Sequence, residues 1–274
     1  MQVNRNLTVN FHFVPFCNMK CRYCFVEKTA TLSIEDYILV LEKLVKYFTR
    51  VNFVGGEPTV SSYLIPLIKK AKSLDLDCTM VTNGFDLIRH ADKFKELYFL
   101  LSCIGISVDS LRNDINYRIG RMCNKQIITC EEYEELCKTI KSHGIRLKIN
   151  TVVSKLNLNE NFSDFYEKTS PDRIKIFQVL KPNSNLKNAY DDLLITKQEF
   201  YSFIKRHTAF SQKIIAEDND AMTNAYYILD SECRFLDNKT GIKSPSLAKS
   251  SISVEDALTY IKMDYDKYKS RYCA

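Results

Sequence analysis

Between residues 8 and 177, short apolar runs rich in β-branched and aromatic residues alternate with longer stretches whose apolar positions recur at helical spacing. Thr8–Val14 reads as a strand, and Val51–Val54 as a buried strand ending at Gly55-Gly56. Cys78–Val81 runs into Thr82-Asn83-Gly84, and Ile104–Val108, Arg146–Val153 and Arg173–Val179 complete the strand series. Between them, Ile38, Leu41, Val45 and Phe48 mark a helix behind a Ser33 N-cap, with Asp36 three residues on. Tyr63–Ser73 is a second helix, and Glu131–Ser142 a third that stops at Gly144, the expected C′ glycine. This alternation predicts an α/β fold of parallel strands and crossover helices, a partial (β/α)6 TIM-type barrel. Past Pro182 the pattern loosens into a polar linker (Asn183–Asn188), a helix (Lys197–His207) and a long Ser- and Lys-rich loop (Lys239–Ser253). Residues 1–182 are therefore expected to form the barrel. Residues 183–274 are expected to be a C-terminal extension of the same compact unit that closes the site.

Chemistry in such barrels gathers at the C-terminal ends of the strands. Four polar or glycine-bearing segments fall there: a cysteine loop, Gly55-Gly56-Glu57-Pro58, Thr82-Asn83-Gly84 and Ser107-Val108-Asp109-Ser110. The loop carries Cys17, Cys21 and Cys24 in a C-x3-C-x2-C spacing. Three thiolates at that spacing can wrap a four-iron–four-sulfur cluster and leave one iron open, whereas a fully ligated cluster takes four cysteines. Structural zinc would want four ligands. No second knuckle exists, and His12, five residues upstream on the first strand, is poorly placed as a fourth. Zinc or plain buried thiols remain the other readings of the trio.

Composition narrows the class only modestly. The 274 residues are 45% hydrophobic and 26% charged, values of an ordinary globular chain. No apolar run is long enough to span a membrane, and the N-terminus has no signal-peptide core. The seven other cysteines are scattered, and oxidation would destroy a cluster-binding trio, so a reducing, cytoplasmic setting is expected. The net charge of +6 is dispersed, without the basic–aromatic interleaving of a nucleic-acid-binding face. A small polyanion held by a few converging lysines remains compatible.

With these segments in view, the chain resembles the radical S-adenosylmethionine (SAM) superfamily. Phe25, after the last cysteine, matches that pattern, and the Gly-Gly-Glu-Pro turn is where the resemblance places the methionine amino group of SAM. A narrower likeness is carried by Asn10-Phe11-His12-Phe13, Ser107-Val108-Asp109-Ser110, Ile119-Gly120-Arg121, Lys148-Ile149-Asn150, Lys175-Ile176-Phe177-Gln178, Tyr226-Tyr227-Ile228-Leu229-Asp230 and Arg234-Phe235-Leu236. In order and separation, from about residue 8 to about residue 262, these are similar to the viperin-like enzymes. That resemblance implies a 4Fe-4S cluster, SAM as cofactor and a nucleoside triphosphate (CTP, UTP or GTP) as substrate. The triphosphate is dehydrated to its 3′-deoxy-3′,4′-didehydro form after hydrogen abstraction at C4′. It further implies antiviral defence, a flavodoxin- or ferredoxin-like electron donor, and a monomeric chain that binds neither membrane nor nucleic acid. The animal family's membrane-binding helix has no counterpart here, and the tail ending Tyr272-Cys273-Ala274 differs from the animal pattern. Two other functions stay open: a radical SAM enzyme acting on another small molecule, and a non-catalytic iron–sulfur or zinc binding module.

The resemblance assigns roles residue by residue. Cys17, Cys21 and Cys24 would hold the cluster, and Phe25, Gly55, Gly56, Glu57, Thr82, Asn83 and Ser107 would meet SAM. Arg121, Lys148 and Lys175 would bind triphosphate. A lysine inside a β-rich run must face solvent or find a partner within; a barrel lumen open to a triphosphate would supply that partner, and surface cations on alternating faces are the other reading. Asn150 shares a strand face with Lys148, and Asn10 and His12 share one on the first strand, where His12 could equally be a core histidine. Tyr226 is the candidate catalytic residue near the nucleotide, against a background of 16 tyrosines that mostly pack. Arg234 either touches phosphate or anchors the C-terminal segment. Asp109 and Ser110 look structural, and Ala216-Glu217-Asp218-Asn219-Asp220 is a candidate to read the base. Cys233 and Cys273 stand alone, without the clustered cysteines of an auxiliary cluster.

Overall fold

The computed structural model describes residues 7–27, 29–180 and 191–272. One sheet holds β1 (Thr8–Val14), β2 (Arg50–Gly55), β3 (Asp77–Thr82), β4 (Cys103–Ser107), β5 (Arg146–Val153), β6 (Arg173–Gln178), β7 (Ile214–Glu217) and β8 (Tyr227–Leu229). Their order is β7-β6-β5-β4-β3-β2-β1-β8, with every neighbouring pair parallel. The sheet curls into a half-barrel. The six strands expected from the sequence are its first six. The other two come from the C-terminal region and cover opposite edges, so the extension completes the barrel rather than merely lying over it. At four and three residues they are too short for alternation to register. The linker expected at Asn183–Asn188 lies outside the described residues.

Alternation along each strand sorts apolar from polar side chains. On β1, Val9, Phe11 and Phe13 are fully buried on the outer face. There Phe11 meets Tyr37 edge-on with ring centroids 5.4 Å apart, and Phe13 meets Phe53 at 6.0 Å. Burial of each such ring contributes about 2–3 kcal/mol. The intervening Asn10 and His12 turn to the concave side. Asn52, Thr79, Gly105, Ser107, Lys148, Asn150 and Lys175 follow on successive strands, so the lumen is polar and the outer layer apolar.

Capping boxes start three helices: Ser33 with Asp36 before Ile34–Leu44, Thr129 with Glu132 before Cys130–Ser142, and Thr196 with Glu199 before Lys197–Arg206. Gly144 takes φ +73° after the second of these. The first helix ends at Leu44, short of the Phe48 that its periodicity included. Phe48 instead packs on Tyr227 and Phe235, at 5.3 and 6.1 Å, so its apolar character belongs to the junction with β8. Among the described residues no helix is long and apolar enough to cross a membrane.

Candidate functional site

The cysteine loop leaves β1 at the C-terminal edge of the sheet and is clamped from one side by the Gly-Gly-Glu turn. Gly56 N donates to Val14 O at 2.7 Å and Glu57 N to Phe16 O at 2.8 Å. A Cβ on Gly56 would sit 2.0 Å from Phe16 O, and one on Gly55, at φ +144°, 2.3 Å from Val14 O. Only glycines permit that approach. The close contact they make is therefore to the backbone of the loop itself. On the other side Lys20 N and Arg22 N donate to Gly120 O and Ile119 O, at 3.2 and 2.9 Å.

All nine described cysteines are free. Cys17 and Cys24 are exposed and Cys21 is half-buried. Although the residue is exposed at its surface, the protein atoms packed around the Cys17 sulfur desolvate it and, reinforced by Glu57 and the other two cysteines, push the thiol up to about 12 despite the Met19 amide that points at its sulfur from 3.3 Å. Burial likewise pushes Cys21 up to about 11, with Arg121 drawing it down. Asn83 Nδ2 lies 3.9 Å from Cys17 Sγ and Arg121 Nη1 4.0 Å from Cys21 Sγ. Sulfurs that feel one another's charge and are faced by N–H donors are suited to thiolate ligation, which metal binding completes by releasing protons. Among the described residues no three Cys, His, Asp or Glu groups converge on a single ion. Cys17, Cys21 and Cys24 in one loop suit a four-iron–four-sulfur cluster, which spreads its ligands over a larger core than one ion does.

Around the loop, Glu57 is 1% exposed and saturated with donors. Its Oε1 accepts from Thr59 N (3.1 Å), Thr59 Oγ1 (2.8 Å) and Thr82 Oγ1 (2.6 Å), and its Oε2 from Asn83 N (2.7 Å). Burial raises its pKa in spite of these four bonds. Phe25 is exposed and edge-on to His12, with ring centroids 6.3 Å apart. Burial lowers His12 to about 4, Asp230 notwithstanding, so its imidazole is neutral at physiological pH.

The expected basic trio is divided. Arg121 belongs to the cysteine end: its guanidinium pairs with Asp109 at 2.8 Å and donates to Ser107 O at 2.6 Å. Asp109 also takes Tyr23 OH at 2.6 Å and Val152 N at 2.8 Å, while Ser110 Oγ donates to Glu160 at 2.5 Å. Burial opposes the charge on Arg121, but Asp109 outweighs it and holds the guanidinium well above its usual pKa.

Lys148 and Lys175 come together deeper in the lumen. Lys175 Nζ lies 2.7 Å from Glu217 Oε1 and 2.8 Å from Tyr226 OH. Tyr226 OH in turn donates to Glu217 Oε2. Arg271, from the C-terminal helix Tyr265–Tyr272, brings Nε to 3.2 Å from the same carboxylate and its guanidinium over the Tyr226 ring. Arg173, register partner of Lys148, donates to Arg271 O at 2.5 Å. Lys148 itself has no hydrogen bond or ion pair among the described residues, and its pKa is lowered by burial. Asn150 Oδ1 is buried without a hydrogen-bond partner. Asn10, Asn52 and Thr79 line the opposite wall as a ladder: Thr79 Oγ1 donates to Asn52 Oδ1 (2.9 Å) and Asn52 Nδ2 to Asn10 Oδ1 (2.8 Å).

Arg234 stands apart from the lysines. It is held by Asp230, through Nε at 2.9 Å and Nη2 at 2.8 Å, and by Glu232 at 2.6 Å. Of the acidic stretch, Glu217 reaches the lumen, whereas Asp218 caps the helix Asn219–Met222 through Ala221 N and Asp220 is exposed. Sequence reasoning missed Arg173, Glu217 as a lysine partner, and Arg271. Arg173 was findable, since it lies two residues before Lys175 on one strand face. Arg271 carried no local signal in a tail rich in Lys and Arg.

The chain matches the radical SAM superfamily over residues 11–168. It is similar to an S-adenosylmethionine-dependent nucleotide dehydratase of Flammeovirga pacifica, with 37% identity covering 96% of this chain and 93% of that one. It is similar also to the S-adenosylmethionine-dependent nucleotide dehydratase RSAD2 of Danio rerio, with 31% identity covering 96% and 76%. Among solved structures, anSMEcpe with bound AdoMet and a peptide superimposes with a TM-score of 0.70 at 13% identity, over 98% of this chain and 83% of that one. Streptococcus suis SuiB bound to S-adenosylmethionine does so with 0.67 at 15% identity, over 98% and 68%. At these identities the two structures speak for the fold alone.

Proposed function

The chain belongs to the radical SAM superfamily and to its nucleotide dehydratases, and from that premise we propose that it dehydrates a nucleoside triphosphate to the 3′-deoxy-3′,4′-didehydro form. The observation that carries the substrate class is the charge in the lumen. Lys175 and Arg271 pair with one carboxylate, Glu217, Arg173 reaches the Arg271 carbonyl, and the Lys148 ammonium waits without a hydrogen bond or ion pair among the described residues. A triphosphate supplies the missing negative charge, and charge-assisted bonds to phosphate are among the strong ones.

Cys17, Cys21 and Cys24 would hold the cluster, with Phe25, Gly55, Gly56, Glu57, Thr82, Asn83 and Ser107 around SAM. When bound, cluster and SAM supply a 5′-deoxyadenosyl radical able to take hydrogen from a ribose carbon. The chain's own part is position and dryness. Lys148 and Lys175, with Arg173 and Arg271, fix the triphosphate low in the lumen, so that the ribose lies higher, toward the loop. Asn10, neutral His12 and Asn150, the last in register with Lys175, offer hydrogen bonds from the same lumen, and reacting atoms held in near contact account for much of a rate enhancement. Tyr226, bonded to Glu217 and Lys175, holds a phenolic proton beside the nucleotide. Arg121 lies with the cofactor residues. A flavodoxin- or ferredoxin-like donor would supply the electrons, and antiviral defence is the setting the family likeness favours.

The test is anaerobic reconstitution with iron and sulfide, then incubation with SAM, reductant and each of CTP, UTP, GTP and ATP. One nucleotide should raise 5′-deoxyadenosine production and yield a product lighter by one water. SAM cleavage that no nucleotide stimulates would move the assignment to another small molecule. About one zinc per chain with no acid-labile sulfide would remove the radical chemistry altogether. Arg234 should behave as an anchor in the same assay: Arg234→Ala is expected to lower the melting temperature while leaving the nucleotide KM within about twofold, because its partners are local carboxylates.

A further inference from the structure

Gly105 sits in the middle of β4 without a positive φ, so its backbone makes no demand for glycine. A glycine inside a strand forgoes packing, and it often marks a place that something else must occupy. Here the occupant is visible. A Cβ at residue 105 would lie 2.6 Å from Lys148 Cε and 3.4 Å from Lys148 Nζ, with Val81 Cγ2 at 3.2 Å. Lys148 is the register partner of Gly105 on β5, so its side chain lies across β4 instead of standing up from its own strand. We propose that Gly105 is a positioning residue for the substrate: the berth it leaves in β4 holds the Lys148 stem flat, so that the ammonium, unpartnered among the described residues, meets the triphosphate. The proposal rests on the reading of Lys148 as a nucleotide contact. The atoms in the way are the far end of a flexible side chain, so an added methyl displaces the ammonium more readily than the sheet.

The test is a double-mutant cycle on the reconstituted enzyme, read by direct nucleotide binding, by KM and kcat, and by thermal melting. Gly105→Ala is expected to keep the cluster absorbance and the melting temperature. It should weaken nucleotide binding about tenfold, the order of one charge-assisted hydrogen bond, with kcat at saturation within about twofold. In a Lys148→Ala background the same substitution should change binding no further. Binding unaltered in Gly105→Ala, or weakened equally in both backgrounds, overturns the berth. A fall in melting temperature that persists without Lys148 assigns Gly105 to packing against Val81 and overturns it too. If Lys148→Ala alone leaves nucleotide binding intact, the reading of Lys148 as a contact fails instead.

Discussion

Glu57→Ala is expected to lower the melting temperature by about 6–12 °C and to weaken SAM binding, even though the substitution leaves all three cysteines in place. The carboxylate is buried and accepts four hydrogen bonds, two of them from the backbone amides of Thr59 and Asn83. A buried donor stripped of its acceptor costs about 1–3 kcal/mol. The hydroxyls of Thr59 and Thr82 can turn elsewhere, and removing a carboxylate that burial already disfavours recovers part of the loss. A net of about 3 kcal/mol follows, at about 2–4 °C per kcal/mol for a chain of this size. The second effect runs through Asn83, whose side chain donates to Asn18 Oδ1 at 2.7 Å and lies 3.9 Å from Cys17 Sγ. Glu57→Gln separates the two. Its oxygen, placed as Oε1, keeps the Thr59 and Thr82 bonds, while its amide confronts the Asn83 N–H donor to donor. It should therefore melt closer to the parent and still bind SAM more weakly. The measurements are melting curves of the reconstituted protein and SAM binding by calorimetry. Parental SAM affinity in both variants would sink the link between this carboxylate and the cofactor.

The barrel was legible because alternation and helical spacing are local signals, strong wherever an element runs six residues or more, as β1 to β3, β5 and β6 do. The cysteine loop was legible for the same reason, since its spacing is set within eight residues. Glu57 shows where that stops. A Gly-Gly-Glu turn invites the reading that its glycines make room for a ligand, and only the fold reveals that they make room for Val14 O and Phe16 O. Arg121 and the two lysines share a charge, and nothing in their order says that Asp109 claims the first while Glu217 claims one of the others. Arg271 meets Glu217 across 54 positions of sequence, through the helix Tyr265–Tyr272, whose Tyr268 also packs on Tyr227 of β8. Partnerships of that kind are set by which edges of the sheet the last hundred residues or so find, and no window along the chain contains them.

Lys175 should give nucleotide use a pH limb of unusual position. Burial draws its pKa down, Glu217 pulls it back up, and the value settles at about 8 from an ordinary 10.5. Below that pH the ammonium is charged and attracts triphosphate; above it the amine is neutral and does not. The value of kcat/KM, which reports the free enzyme, is therefore expected to fall as pH rises through about 8. Bound triphosphate favours the charged form and raises the pKa, so the limb in kcat should lie at higher pH than the limb in kcat/KM. Lys175→Ala removes the charge at every pH. It should lower kcat/KM at pH 7 by about 10²-fold, the sum of one charge-assisted bond of about 1.5–3 kcal/mol and the repulsion of phosphate by a Glu217 that has lost its nearest cation. Its profile should be flat where the parent's falls. Glu217→Gln acts in the opposite sense on the titration: without the carboxylate nothing offsets burial, and the limb moves to lower pH. Lys175→Arg keeps its charge throughout and should erase the limb while losing less activity than alanine. A limb that survives unmoved in Lys175→Ala belongs to another group, and the lumen lysine would then be a structural partner of Glu217 and no more.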